Sequence, residues 1–213
     1  PASLQDMERG AERFAHAIRA SEPIAVFGDY DVDGAASVAL IQRFLRAHGQ
    51  EAATYIPDRL TEGYGPTPAS MTALAEEGAT LIITVDCGTA ASPAIEAANA
   101  RGVDVIVVDH HKCATTLPVA FALVNPNRLD EAADAAAHGH LAAVGVAFLL
   151  GAALIRTLRR GLRDETSSLS LYAPRTIFNQ PITGARRFAA AASVPMRCCR
   201  GSSRRRASPS MKC

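Results

Sequence analysis

Short, wholly apolar runs alternate along the first 160 residues with longer stretches in which apolar positions recur every three or four residues. The opening stretch, Leu4 to Arg19, sets Met7, Phe14, Ala15 and Ile18 on one side and its charges on the other, which predicts an amphipathic leading helix. Apolar runs then fall at 24–27 (IAVF), 52–56 (AATYI), 80–85 (TLIITV), 103–108 (VDVIVV) and 120–124 (AFALV), with helical patterns at about 35–47, 68–77 and 93–100. Strands this apolar, separated by helices, predict an α/β fold: a parallel sheet covered by helices on both faces. The run Leu141 to Ile155, LAAVGVAFLLGAALI, is shorter than the roughly 20 residues that cross a bilayer. It reads as a buried helix.

Open parallel sheets bind ligands outside the carboxyl ends of their strands, where loops converge and helix N-termini point inward. The first strand runs into GDYDVDG, with Asp29, Asp31 and Asp33; the third into Asp86 of DCGT; the fourth into Asp109, His110 and His111. Carboxylates gathered at one edge raise one another's pKa unless cations neutralise them. Oxygen donors with added imidazole suit Mn²⁺ or Mg²⁺, and a pair of such ions about 3.5–4 Å apart is a recurring device for phosphoester hydrolysis.

Blander readings stand beside this one. GDYDVDG resembles the start of a calcium loop, but Leu40 occupies the twelfth position, where that loop needs Glu. Asp86, followed by Gly88 and Thr89, fits a helix N-cap. The DHH at 109–111 fits a solvated loop, although an apolar strand leads straight into it. His16, His48, His138 and His140 lack such a setting and read as surface residues. No GxxxxGK[ST] and no GxGxxG follow a strand, which removes the common nucleotide-binding loops. Cys87 reads as a small packed residue.

Charge divides the chain at Gly161. The net charge of +1 conceals a balance of −7 over 1–160 and +8 over 161–213. Five cysteines without a CxxC argue against a disulfide framework or zinc ribbon and fit a reducing cytoplasm. The chain opens on Pro1, with no signal-peptide pattern, and is expected to be a fragment or N-terminally processed.

VFGDYDVDG, YIPDRLTEGYG, LIITVDCGT, VIVVDHH and ALVNPNR, in this order over about residues 1–160, resemble the DHH phosphoesterases and, within them, the RecJ-type single-stranded-DNA-specific exonucleases. The resemblance implies a two-metal site binding Mn²⁺ or Mg²⁺ and hydrolysis of single-stranded DNA from its 5′ end. It implies Asp29, Asp31 and Asp33 as first-motif metal ligands, Asp31 and Asp33 before Asp29, Asp86 as the carboxylate bridging both ions, and His110 as a further ligand. Asp109 would support the site and His111 would face the scissile phosphate. RLTEGYG would bring Arg59 or Tyr64 to the nucleic acid, or form a structural turn.

The resemblance stops near residue 161. The family's fourth-motif aspartate and second domain have no counterpart in the following stretch, which is rich in Ser, Arg and Ala and includes Cys198, Cys199 and Arg204 to Arg206. Residues 161–213 are therefore expected to be a disordered tail produced by a frameshift or altered end; the competing reading is a basic DNA-binding tail. On this account the chain's exonuclease activity is impaired. Rival functions are a small-substrate phosphoesterase, acting on oligonucleotides, cyclic dinucleotides or pyrophosphate, and a noncatalytic nucleic-acid-binding module.

Overall fold

A computed structural model describes residues 4–168. Five strands, β1 (Ile24–Gly28), β2 (Ala53–Tyr55), β3 (Leu81–Val85), β4 (Asp104–Val108) and β5 (Ala122–Val124), form one all-parallel sheet in the order β2-β1-β3-β4-β5. Six helices accompany it: α1 (Met7–Arg19), α2 (Val32–Ala47), α3 (Pro68–Glu76), α4 (Ser92–Asn99), the short α5 (Ala133–Ala136) and α6 (Ala143–Ser168). The predicted α/β class is the observed one.

Side chains alternate across each strand, and both faces are apolar. Ile24, Val26, Leu81, Ile83, Val85, Ile106 and Val108 pack with Phe14, Ile41 and Leu150 from α1, α2 and α6. On the opposite face, Phe27, Ile82, Val105 and Val107 meet Met71 and Leu74 of α3 and Ile95 of α4. Each such side chain contributes roughly 1.5–3 kcal/mol when fully removed from water. Helices on both faces explain why the strands read as unbroken apolar runs.

Local chemistry sets the helix starts. Thr67 and Ser70 form a reciprocal capping box at α3, with Pro68 in its first turn, an arrangement that satisfies otherwise orphaned N–H groups. Helix α2 begins at Val32, three residues before the sequence pattern suggested, because the Asp31 side chain accepts from Gly34 N and caps it. Helix α6 starts at Ala143 and runs to Ser168, through the composition break at Gly161. The stretch 169–213, including Cys198, Cys199 and Arg204 to Arg206, lies outside the described residues. Among the described residues no helix is long and apolar enough to cross a membrane.

The strand order reverses at β1. Chain leaving β1 crosses to β2 on one side, whereas β3 pairs with β1 on the other, so the carboxyl ends of β1 and β3 border the crevice that such a reversal opens. Gly28 stands opposite Val85 in the register, and Asp29 N donates to Val85 O at 3.3 Å. Asp29 and Asp86 are thereby brought to one edge from positions 57 residues apart.

Candidate metal centre

Two sets of donor atoms gather at this edge, each with all its atoms within 4.8 Å of one another: Asp29, Asp31 and Asp86, and Asp86, His110 and His111. Asp86 belongs to both. Its backbone takes a left-handed conformation, φ 60°, which few residues other than glycine adopt without strain and which a well-determined surrounding must hold. Asp86 N donates to Val108 O at 2.9 Å, and the Tyr64 hydroxyl donates to Asp86 O at 3.1 Å. Helix α4 starts at Ser92 with Ala91 at its cap, so Asp86 does not cap a helix. The calcium-loop reading also falls, because Asp33 already lies in the first turn of α2.

The electrostatics favour a cation. Among the described residues, the carboxylate oxygens buried without a hydrogen-bond partner are Asp29 Oδ1 and Asp86 Oδ1. Burial pushes the Asp86 carboxyl up to about 7, with the charges of Asp33 and Asp31 adding to the effect. Burial also raises Asp29. Asp31 moves the other way, because Gly34 N–H bonds its charged form. A divalent ion supplies the opposite charge that buried carboxylates otherwise lack.

The histidines are oriented from behind. His110 Nδ1 lies 3.0 Å from Leu141 O; a carbonyl only accepts, so Nδ1 is a donor and Nε2 is the ring nitrogen turned into the site. Nε2 lies 3.3 Å from Asp86 Oδ1 and 3.8 Å from Asp33 Oδ2. Asp109 accepts from His111 Nδ1 at 2.7 Å, from His110 N at 2.7 Å, from His111 N at 3.2 Å and from Thr89 N at 3.1 Å. Burial alone would raise the Asp109 carboxyl, but these bonds outweigh it and hold it low. Burial likewise opposes protonation of His111, yet the Asp109 carboxylate prevails and raises its pKa.

Asp33 has a further engagement that its motif does not disclose. Its carboxylate accepts from Ala143 N at 2.7 Å and Val144 N at 2.9 Å, capping the start of α6, where the helix dipole favours negative charge. Asp33 stands beside the two donor sets and is a member of neither.

RLTEGYG folds as a turn. Asp58 Oδ1 accepts from Leu60 N and Thr61 N at 2.8 and 3.2 Å, Glu62 Oε1 accepts from Asp58 N at 2.9 Å, and the Tyr55 hydroxyl donates to Glu62. Arg59, on this turn, sets its guanidinium over the Tyr30 ring, 5.4 Å from the centroid. Tyr30 meets Tyr64 edge to face at 6.5 Å, and Tyr64 meets His111 at 5.9 Å. Tyr30 lies inside GDYDVDG, whose sequence signal is its aspartates, and Thr89, part of the cap pattern after Asp86, instead bonds the Asp109 carboxylate through its N–H. A cavity of about 400 Å³ opens beside His111, lined also by Tyr64, Pro66, Ala90, Pro93 and Lys112. Cys87 is fully buried, its thiol bonded to Val85 O at 3.3 Å, as a packed residue. Tyr64→Phe, which removes the hydroxyl's contacts with Asp86 O and His111 Nδ1, together worth about 1–2 kcal/mol, is expected to lower the thermal midpoint by roughly 2–8 °C while Mn²⁺ binding persists in calorimetry.

Known proteins match this arrangement. The DHH family, N-terminal domain, matches residues 23–172. The single-stranded-DNA-specific exonuclease RecJ of Bacillus subtilis is 38% identical over 164 residues, covering 77% of this chain and 20% of that protein. Its Escherichia coli counterpart is 40% identical over 163 residues, covering 76% and 27% respectively. A crystal structure of exonuclease RecJ bound to manganese superimposes with a TM-score of 0.64 at 34% identity, over 73% of this chain and 38% of that one. The chain thus spans about a fifth to a quarter of the length of these curated relatives. Matched by that family model over residues 23–172, most of its length, the chain belongs to the DHH family.

Proposed function

We propose that this domain hydrolyses phosphodiester bonds with two divalent ions, Mn²⁺ or Mg²⁺, and that its substrate is single-stranded DNA entered from the 5′ end. The observation that carries the reading is the pair of donor sets sharing Asp86, whose buried oxygen has no hydrogen-bond partner. Asp29, Asp31 and Asp86 would hold one ion, and Asp86 with His110 the other, Asp33 lying alongside. When bound, such ions neutralise charge on the phosphate and lower the pKa of water.

The chain's own groups do the rest. His111 is held by Asp109 through Nδ1, which leaves Nε2 free; protonated, it stabilises negative charge on a phosphoryl oxygen or delivers a proton. Lys112, which lines the cavity, and Arg59, over the Tyr30 ring, supply positive charge for adjacent phosphates, and the Tyr64 ring offers an apolar wall beside His111. The RecJ relatives, named as single-stranded-DNA-specific exonucleases, support the substrate. The cysteine pattern supports a reducing, cytoplasmic setting.

A second reading is a small-substrate phosphoesterase. The 400 Å³ cavity beside His111 favours it, being of small-ligand size. Release of label from 5′-labelled single-stranded DNA, with and without Mn²⁺ and alongside a dinucleotide and pyrophosphate, separates the two. Mn²⁺-dependent release from the long strand that disappears in Asp86→Asn supports the exonuclease. Turnover confined to the small substrates replaces it with the second reading, and release that survives Asp86→Asn removes both.

A further inference from the structure

We propose that Asn125 and Asn127 are positioning residues that set the two imidazoles of the site by gripping the main-chain carbonyls of His110 and His111. The inference rests on the metal-centre reading only for its metal-binding consequence. Sheet pairing ends with Asp109 N donating to Val124 O at 3.1 Å, so the strand ladder does not hold the two histidines that follow. Side chains hold them instead. Asn125 Nδ2 donates to His111 O at 2.9 Å, and Asn127 Nδ2 donates to His110 O at 2.5 Å.

Each asparagine also holds the far end of the same histidine. Asn127 Nδ2 donates to Gly139 O at 3.2 Å, fixing the segment whose Leu141 carbonyl accepts from the His110 ring at 3.0 Å. Asn125 Nδ2 lies 3.0 Å from Thr89 Oγ1, and Thr89 N donates to the Asp109 carboxylate that holds the His111 ring. The Asn125 side chain also holds the backbone of its neighbour: Asn125 Oδ1 accepts from the Asn127 main-chain N–H at 2.8 Å. Pro126 between them restricts the backbone. An amide is required, since a carboxylate of the same shape has no N–H to give a carbonyl. Gly139 admits this geometry, because a Cβ there would lie 2.5 Å from Asn127 Oδ1.

Three variants of the full chain test the inference: Asn127→Ala, Gly139→Ala, and Gln42→Ala as a control. Gln42 is also a buried amide, bonded to Ala52 O and Thr54 Oγ1. Circular dichroism first establishes that each is folded. Long-range ¹H–¹⁵N spectra of the metal-free protein then read the rings: one sharp His110 set in the parent and in Gln42→Ala, broadened or doubled in the other two. Calorimetric titration with Mn²⁺ is expected to show binding weakened about tenfold in Asn127→Ala and Gly139→Ala, the scale typical of partners behind a metal ligand, and unchanged in Gln42→Ala. Unaltered His110 signals in folded Asn127→Ala overturn the inference, as does equal disturbance in Gln42→Ala. A parent chain that binds no Mn²⁺ sinks the proposed function instead, and the ring spectra then decide this inference alone.

Discussion

Asp86→Asn is expected to do two opposite things: end Mn²⁺ binding and stabilise the metal-free fold. The first follows because Asp86 is common to both donor sets, so its loss removes a ligand from each. Binding weakened by more than about 100-fold is expected, beyond the range seen when only a supporting partner is lost. The second follows from the sign of its pKa shift. Its folded pKa is raised to about 7, whereas an unfolded Asp titrates near 3.9. Between about pH 4 and 7 the fold holds a proton that the unfolded chain has released, so this group makes stability fall as pH rises through that window. Asparagine has no such charge to bury. Thermal unfolding in EDTA should therefore show the parent losing midpoint relative to Asp86→Asn on going from pH 5 to pH 8. Added Mn²⁺ should raise the parent's midpoint, and keep raising it with the logarithm of its concentration above the dissociation constant, and leave the variant unmoved. A variant that Mn²⁺ stabilises as it does the parent would sink the metal assignment.

Gly34→Ala is expected to damage fold and site together. A Cβ on Gly34 would lie 2.8 Å from both the nitrogen and the carbonyl carbon of Asp29 and closer still to its oxygen. These are backbone atoms at the end of β1, and they have no rotamer by which to yield. Relief requires α2 to move away from the strand, which also breaks the Gly34 N–H bond that keeps Asp31 charged. Overpacking of this kind costs roughly 1–3 kcal/mol, and the lost cap adds about 1. The midpoint should fall by roughly 5–15 °C, with weakened Mn²⁺ binding at temperatures where the variant remains folded. Parent-like stability and binding would show that the packing of α2 on Asp29 is softer than the geometry implies.

The sheet was legible because both of its faces are covered. Ile24 to Phe27, Leu81 to Val85 and Val105 to Val108 are apolar at every position but Thr84, and such runs specify a buried parallel strand. The carboxyl-end rule then turned a list of aspartates into one candidate edge. Other features were not legible, since each depends on residues distant in sequence. Asp33 reaches α6 across 110 residues. Asn127, quoted within ALVNPNR, acquires its role only where His110 and Gly139 converge on it. Asp86 looked like a helix cap because Asp, Gly and Thr are common in caps; its left-handed φ and the start of α4 at Ser92 show otherwise. RLTEGYG held two possibilities; the hydrogen bonds of Asp58 and Glu62 show the turn, and Arg59 stands on that turn over the Tyr30 ring.

By itself, the sequence determined the fold class, the strand ends that carry acids and histidines, and a chemistry of hard oxygen donors with imidazole. Those depend on local periodicity and side-chain type, which a single chain displays directly. Only the tertiary structure decided how closely the donor sets gather around Asp86, which the resemblance had already implied as the shared carboxylate, which nitrogen of His110 turns into the site, and that Asp33 also caps a distant helix. Such matters depend on angles and separations of a few ångströms between segments remote along the chain, and these exist only once the sheet and its helices have closed around the site.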